Sequence, residues 1–302
     1  MIALNTTVTP PTSPPTIAGT LNALQARGLE RLDAQLLLLQ ALARPDHQRA
    51  WLVAHDTDPV DAATLERLDA LALRRLQGEP LAYLSGRKDF FGLTLLVDAR
   101  VLVPRPDTET LVDWALEVLD EASAQAAPAQ ALTLRALDLG TGSGAIALAL
   151  KASRSTLQVD ATDYSADALA VAQVNAQRLG LALQFYQGSW LAALPEALAR
   201  FDLIVSNPPY IAAQDPHLPA LAHEPLQALV SGADGLDDLR QIIAQAGAHL
   251  QTGGWLLLEH GYDQAAAVCK LLKLAGLQDV QSRKDLHGIE RCSGGRTQAA
   301  KP

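Results

Sequence analysis

From Leu132 onward the chain alternates strand-like apolar runs with helical ones, and this alternation limits most strongly what it can fold into. LTLRALDLG, LQVDATD, LQFYQGSW, FDLIVSNPPY and GWLLLEHG have the character of strands. AIALALKAS, SADALAVAQVNAQRLG and LRQIIAQAGAHL lie among them as helices. Strands joined through single helices need right-handed crossovers, which give a largely parallel sheet covered on both faces. The expectation is a doubly wound α/β domain, with ligands at the C-terminal ends of its strands. The loops carrying DLGTGSG, Asp163 and NPPY all fall there.

Upstream the pattern is different. From Ile17 apolar residues recur at helical spacing through LNALQARGLERLDAQLLLLQALA and AATLERLDALALRRLQG, with breaks at Gly28, Pro45 and Pro59, so residues 17–79 are expected as a small all-helical domain. Residues 80–104 turn β-rich in FFGLTLLVD and ARVLVP, which suggests a β-hairpin linker turning at Asp98 and Ala99. The α/β domain then covers 105–298, opening with a helix through DTETLVDWALEVLDEA that Asp107 or Thr108 could cap. The Thr- and Pro-rich residues 1–16 lack periodic apolar positions and are expected as a disordered tail; ASAQAAPAQA, around Ala127, has the composition of a surface loop.

Composition removes several function classes. The chain of 302 residues has 24 Lys and Arg against 33 Asp and Glu, a formal charge of −9 that disfavours nucleic acid as a partner. No apolar run approaches the roughly 18–20 residues of a spanning helix, and no signal peptide is evident. Cys269 and Cys292 are too few and too far apart for a disulfide framework or a four-ligand zinc site. His217, His223, His260 and His287 have no metal-ligand spacing, so no metal is expected. A monomer in a reducing cytoplasm fits these features, since no long heptad demands a partner.

In the first strand-to-helix turn, Asp138, Gly140, Gly142 and Gly144 allow a ligand close to the backbone. The spacing G-x-G-x-G matches neither the usual dinucleotide turn nor a phosphate loop, and no Lys is present. An acidic Asp138 would repel a pyrophosphate but attract the ammonium of an amino-acid-bearing nucleoside. Asp163, ending the next strand, can accept hydrogen bonds from both hydroxyls of a ribose; the competing role, capping the following helix, is one that Ser165 already fits. Trp190 suits the face of an adenine and suits ordinary core packing equally well.

Asn207-Pro208-Pro209-Tyr210 is the sharpest signal. Two prolines directly after a strand cannot extend a sheet ladder, so the chain must leave in a stiff loop. The Asn207 side-chain carbonyl and the Pro208 backbone carbonyl could then accept both hydrogens of a planar –NH2 group, with Tyr210 as an aromatic wall. Such a nitrogen is a poor nucleophile because its lone pair is delocalised, and orienting it toward an electrophile is catalysis by positioning.

DLGTGSGAIALA, the acid after the second strand and NPPY together resemble class I S-adenosylmethionine-dependent methyltransferases acting on planar nitrogen. EPLAYLSGRKDFFGLTLLVDARVLVPRPDTETLV, FDLIVSNPPYI, HEPLQALVSGADGLDDLRQII and GGWLLLEHGYDQ narrow the resemblance to the protein (N5)-glutamine methyltransferases of peptide chain release factors, the PrmC or HemK family. It runs from about Ile17 to Arg296. It implies a Rossmann-like methyltransferase sheet and methyl transfer to the glutamine of the Gly-Gly-Gln motif of class-1 release factors, with S-adenosyl-L-homocysteine as product. Carried over by motif, Gly140, Thr141, Gly142, Ser143, Gly144, Asp163, Trp190 and Asn207 are cofactor positions. Asn207, Pro208, Pro209 and Tyr210 hold the substrate amide. Arg105, Asp107 and Glu109 lie near the cofactor-binding mouth, and the helical domain helps dock the release factor.

Two rivals share the geometry. The sister methyltransferases of ribosomal protein L3 usually have Ser-Pro after the Arg of the segment corresponding to PRPDTE, so Arg105-Pro106-Asp107 favours release factors. Adenine-N6 methylation of DNA would require basic surface and a recognition domain.

Overall fold

The computed structural model describes residues 14–125, 133–196, 198 and 200–298. The tail expected at residues 1–16 lies outside them as far as residue 13, and the loop around Ala127 lies outside them from residue 126. The chain separates into two compact units, dividing between Ser85 and Gly86.

The first unit is helical, with α1 (Ile17–Ala26), α2 (Arg31–Ala41), α3 (Arg49–Ala54), α4 (Ala62–Leu76) and α5 (Leu81–Ser85). Thr16 caps α1 by accepting the Gly19 N–H, so it is not tail, and Asp61 caps α4 through the Thr64 N–H. Along α4 the buried residues Thr64, Leu68 and Ala72 recur at one helical face against the Leu37–Leu39 run of α2. Pro80 opens α5, where its missing N–H costs nothing, and its carbonyl accepts from Tyr83 and Leu84. Residues 80–85, grouped with the hairpin on sequence, are therefore part of this helical unit.

The second unit opens with an antiparallel hairpin, β1 (Arg87–Phe90) and β2 (Leu93–Leu96). Its turn is at Phe91 and Gly92, not at Asp98 and Ala99. Both turn residues have positive φ, 48° and 75°, the pairing that a tight two-residue hairpin requires. Asp98 instead shapes the bend that leaves the hairpin, accepting the Arg100 N–H. α6 (Glu109–Gln125) follows and includes the first residues of the expected Ala/Gln loop.

The remaining elements run β3 (Arg135–Leu139), α7 (Ala145–Ser153), β4 (Gln158–Asp163), α8 (Ala166–Leu179), β5 (Gln184–Gln187), β6 (Phe201–Ser206), α9 (Asp237–His249), β7 (Leu250–Glu259), α10 (Ala265–Leu274), β8 (Gln278–Lys284) and β9 (Glu290–Arg296). They form a seven-stranded sheet in the order β5-β4-β3-β6-β7-β9-β8. The first five strands in that order are parallel, and β9 joins β7 antiparallel. Successive residues of a strand feed opposite cores: Ala136, Leu203, Val205 and Leu257 pack on the α6 and α7 side, Leu137, Ile204, Leu256 and Leu258 on the α9 and α10 side. No helix among the described residues is long and apolar enough to cross a membrane.

Candidate active site

The sheet starts in its middle at β3, proceeds to β4 and β5 on one side, then returns to place β6 against the other side of β3. A crevice opens at that reversal, beyond the strands' C-terminal ends. Leu139 pairs with both Thr162 and Ser206, so the glycine turn after β3, Asp163 at the end of β4 and Asn207 after β6 emerge at one level. The Gly140 and Thr141 N–H groups both donate to the Thr162 carbonyl at 2.9 Å, and the Ser206 hydroxyl donates to the Leu139 carbonyl at 2.7 Å.

A cavity of about 270 Å³ occupies the crevice, and Gly140, Gly142, Asp163, Trp190, Asn207 and Pro209 all line it. Gly140 has a φ of +70°, and a Cβ there would stand 3.0 Å from the Trp190 ring, so the indole packs directly on the bare main chain. Trp190 itself has a φ of +49°, a conformation that tertiary packing must hold, and its Nε1 donates to Asp238 Oδ1 at 3.2 Å. Asp163 accepts the Gly142 N–H on Oδ2 at 2.8 Å and the Ser165 N–H on Oδ1 at 2.9 Å. Each oxygen retains a second lone pair. Burial pushes this carboxyl up, and the N–H groups of Gly142, Ser165 and Tyr164 oppose the shift. Ser165 caps α8 by accepting from Ala168.

Three members of the glycine run do not line the cavity. The Thr141 hydroxyl donates to Asp138 Oδ2 at 2.7 Å, the Ser143 carbonyl accepts from Asn175, and Gly144 starts α7 packed against Leu148 and Ala172. Asp138 is fully buried rather than presented to a ligand's ammonium; its Oδ2 also accepts the Ala147 N–H, its Oδ1 has no partner, and burial raises its carboxyl to about 7. Asn175 was not legible as a functional residue. From α8 it exchanges hydrogen bonds with both the N–H and the carbonyl of Leu96, tying the hairpin to the glycine turn.

Asn207 also lines a second cavity of about 240 Å³, together with Pro208 and Tyr210. The Asn207 Nδ2 donates to Thr108 Oγ1 at 3.2 Å. The Tyr210 hydroxyl reaches Glu259 Oε1 at 3.4 Å, and the Thr108 hydroxyl beside the same carboxyl favours its charged form. Glu259, the last residue of β7, is buried, its Oε2 has no partner, and burial raises its carboxyl to about 7. Thr108 enters the sequence reading only as a candidate helix cap and Glu259 not at all, although an acid closing the apolar run GWLLLE is a visible signal.

Of the PRPDTE residues, Arg105 lines the second cavity and pairs with the buried Glu224, whose Oε2 accepts the Val103 N–H at 3.0 Å. Glu109 accepts the Phe91 N–H across the hairpin turn. Asp107 lies 3.5 Å from Arg291, which also pairs with Asp285 at 3.1 Å. The expected capping by Asp107 or Thr108 thus gives way to contacts with β9 and with Asn207. Asp107, Asp285 and His287 are the metal-capable cluster among the described residues, and the Arg291 guanidinium already supplies a cation to its two carboxylates.

The first cavity fits an amino-acid-bearing nucleoside. An aromatic wall stands ready for a planar base, Asp163 keeps acceptor capacity for two hydroxyls, and a Cβ at Gly142 would meet open space, so the glycine floor is free to receive a ligand. The carboxylates of Asp163 and Asp238 in its wall suit a cationic ligand such as a sulfonium.

Both units of the chain match known protein families. Residues 112–267 match the Methyltransferase small domain, and residues 17–86 match the PrmC N-terminal domain. The release factor glutamine methyltransferase of Bordetella pertussis is 51% identical over 270 residues, covering 89% of this chain and 95% of that protein. Its namesake in Burkholderia pseudomallei is 46% identical over 293 residues, covering 94% and 98%. Among solved structures, the human methyltransferase 10 domain containing protein superposes with a TM-score of 0.51 at 16% identity, over 68% of this chain and 88% of that one, a likeness of fold alone.

Proposed function

Because the chain belongs to the release factor glutamine methyltransferase family, we propose that it methylates the side-chain amide nitrogen (N5) of the Gly-Gly-Gln glutamine of class-1 release factors. The observation that carries this reading is the place of Asn207 on the wall of both cavities, one suited to a nucleoside and one beside it for a side chain. S-adenosylmethionine, when bound, supplies an electrophilic methyl group on a sulfonium. Asp163, Trp190, Gly140 and Gly142 hold and orient it. The Asn207 Oδ1 and the Pro208 carbonyl accept the two amide hydrogens, and Tyr210 closes the plane of the group. The bound S-adenosylmethionine would supply its methyl group to the amide nitrogen and leave as S-adenosylhomocysteine with the S–C electron pair on sulfur, and the amide N–H proton would pass to solvent. Two fixed acceptors thus hold the weakly nucleophilic lone pair in line with the electrophile.

Displacement from a sulfonium needs no Lewis acid, so the reading includes no metal. The helical unit, matching the PrmC N-terminal domain, is assigned to recognition of the protein substrate. Cys269 and Cys292 are free thiols, which supports a reducing, cytoplasmic setting, and the formal charge of −9 supports a protein partner over DNA; the reading is of a monomer that does not engage a membrane. The test is transfer of labelled methyl from S-adenosylmethionine to a class-1 release factor, to ribosomal protein L3 and to adenine-containing duplex DNA in parallel. Label on the release factor alone is the expected result; label on either of the others assigns the same site to a different substrate.

A further inference from the structure

An amide has two ends of opposite hydrogen-bonding character, and positioning a substrate –NH2 requires that Asn207 present its oxygen, never its nitrogen. The sequence NPPY does not decide this by itself, because the side chain can turn about its last torsion at little cost. A neighbour must therefore decide it.

We propose that Thr108 is the residue that fixes which end of the Asn207 amide meets the substrate, with the buried Glu259 fixing the direction of the Thr108 hydroxyl. The inference rests on the proposed amide methylation and assigns the positioning of its central side chain. Thr108 is buried in the 3-10 turn of PRPDTE, and its Oγ1 accepts the Asn207 Nδ2–H at 3.2 Å. A hydroxyl has one hydrogen and two lone pairs. The buried Glu259 carboxylate lies beside Thr108 and attracts its hydroxyl hydrogen, which turns the Thr108 lone pairs to Asn207, as the Nδ2–Oγ1 contact of 3.2 Å requires. A flipped Asn207 would bring its oxygen against those lone pairs, a repulsive contact, and would point its N–H groups at the substrate amide hydrogens. The carboxylate thus makes Thr108 an obligate acceptor, Thr108 makes the Asn207 Nδ2 its donor, and Oδ1 is left to the cavities. The same carboxylate accepts the Tyr210 hydroxyl, so the two side chains around the substrate amide are referenced to one buried group.

Charged and titratable neighbours face Glu259 from every side: Tyr210 after β6, Asp107 beside Thr108, and Arg291 and Cys292 on β9. Arg291 favours the carboxylate and Asp107 opposes it. Once protonated, Glu259 becomes a donor to Thr108, whose own hydrogen is then free to turn to Asn207 and stabilise the flipped amide. Positioning is therefore lost as pH falls through about 7.

The experiment measures kcat, KM for a class-1 release factor and the dissociation constant of S-adenosylhomocysteine for the full-length wild type, Thr108→Ala, Thr108→Ser and Glu259→Gln across pH 6–9. Thr108→Ala is expected to lose about 10- to 100-fold in kcat, the scale of a mispositioned reacting group. Its KM and cofactor affinity should stay within about threefold. Thr108→Ser restores the hydroxyl and should recover most of the loss. The wild-type kcat falls on the acid side, and Glu259→Gln flattens that limb. Wild-type kcat in Thr108→Ala overturns the proposal, as does failure of Thr108→Ser to recover activity while it binds cofactor normally. Should the wild type methylate L3 or DNA instead, the substrate reading fails separately, and the same variants assayed on that –NH2 substrate decide the role of Thr108.

Discussion

Replacing Asp163 by Asn changes one oxygen into an –NH2 at a point where three kinds of donor converge. In the wild type the carboxylate takes the Gly142 and Ser165 N–H groups, and its remaining lone pairs are assigned to the two ribose hydroxyls of the cofactor. A hydrogen bond to a charged acceptor contributes ~1.5–3 kcal/mol. The amide keeps one accepting oxygen and sets a donor against a donor at the other, so one ribose bond is lost and the other is weakened by the loss of charge. The sum is about 3 kcal/mol, or roughly 100-fold in affinity. The assay is calorimetric titration of S-adenosylhomocysteine and of its 2′-deoxyribose analogue into wild type and Asp163→Asn, with thermal melting as a check on the glycine turn. The wild type should discriminate against the deoxy analogue and the variant should not. Affinity within threefold of wild type, or undiminished discrimination in the variant, would refute the assignment of Asp163 to the ribose.

Three further outcomes follow from the same contacts. The Glu259 carboxyl is raised to about 7, so the folded state retains a proton that the unfolded chain has released; this stabilisation is full at low pH and is lost as pH rises to about 7. Urea titrations between pH 5 and 8 should show about 3 kcal/mol less alkaline loss in Glu259→Gln than in wild type, and equal losses would contradict the burial argument. Gly140→Ala forces a Cβ into the left-handed region and against the Trp190 ring; it should cost about 1–3 kcal/mol in stability and weaken S-adenosylhomocysteine binding, read by melting with and without ligand. Glu224→Ala removes the acceptor of the Val103 N–H and the partner of Arg105, so the melting point should fall by the equivalent of about 2 kcal/mol and KM for the release factor should rise.

Much of the α/β architecture was legible because parallel strands buried on both faces leave near-continuous apolar runs, as in FDLIVS and GWLLLE. β9 was not, because ERCSGGR has the composition of a loop. The structure requires its glycines: a Cβ at Gly294 would lie 2.5 Å from Leu257 and 3.0 Å from Trp114. The hairpin was visible but its turn was misplaced, since Phe91 carries none of the usual turn preference and its positive φ is imposed by context. At the site, the motifs located Gly140, Gly142, Asp163 and Asn207 because strand ends carry them to one crevice. The motifs could not separate Gly140 and Gly142, which line the cavity, from Thr141, Ser143 and Gly144, which serve the turn and the helix behind it. Thr108, Asn175 and Glu259 act through contacts distant in sequence, which no local pattern records.

The most direct test is peptide mapping of a class-1 release factor after incubation with this protein and S-adenosylmethionine, run beside the Asn207→Ala variant and a release factor whose Gly-Gly-Gln glutamine is replaced. The account predicts one added methyl group on the side-chain amide of that glutamine. It should be absent with Asn207→Ala even though that variant still binds S-adenosylhomocysteine, and absent from the substituted release factor. Methyl on any other residue, or undiminished transfer by Asn207→Ala, would contradict it.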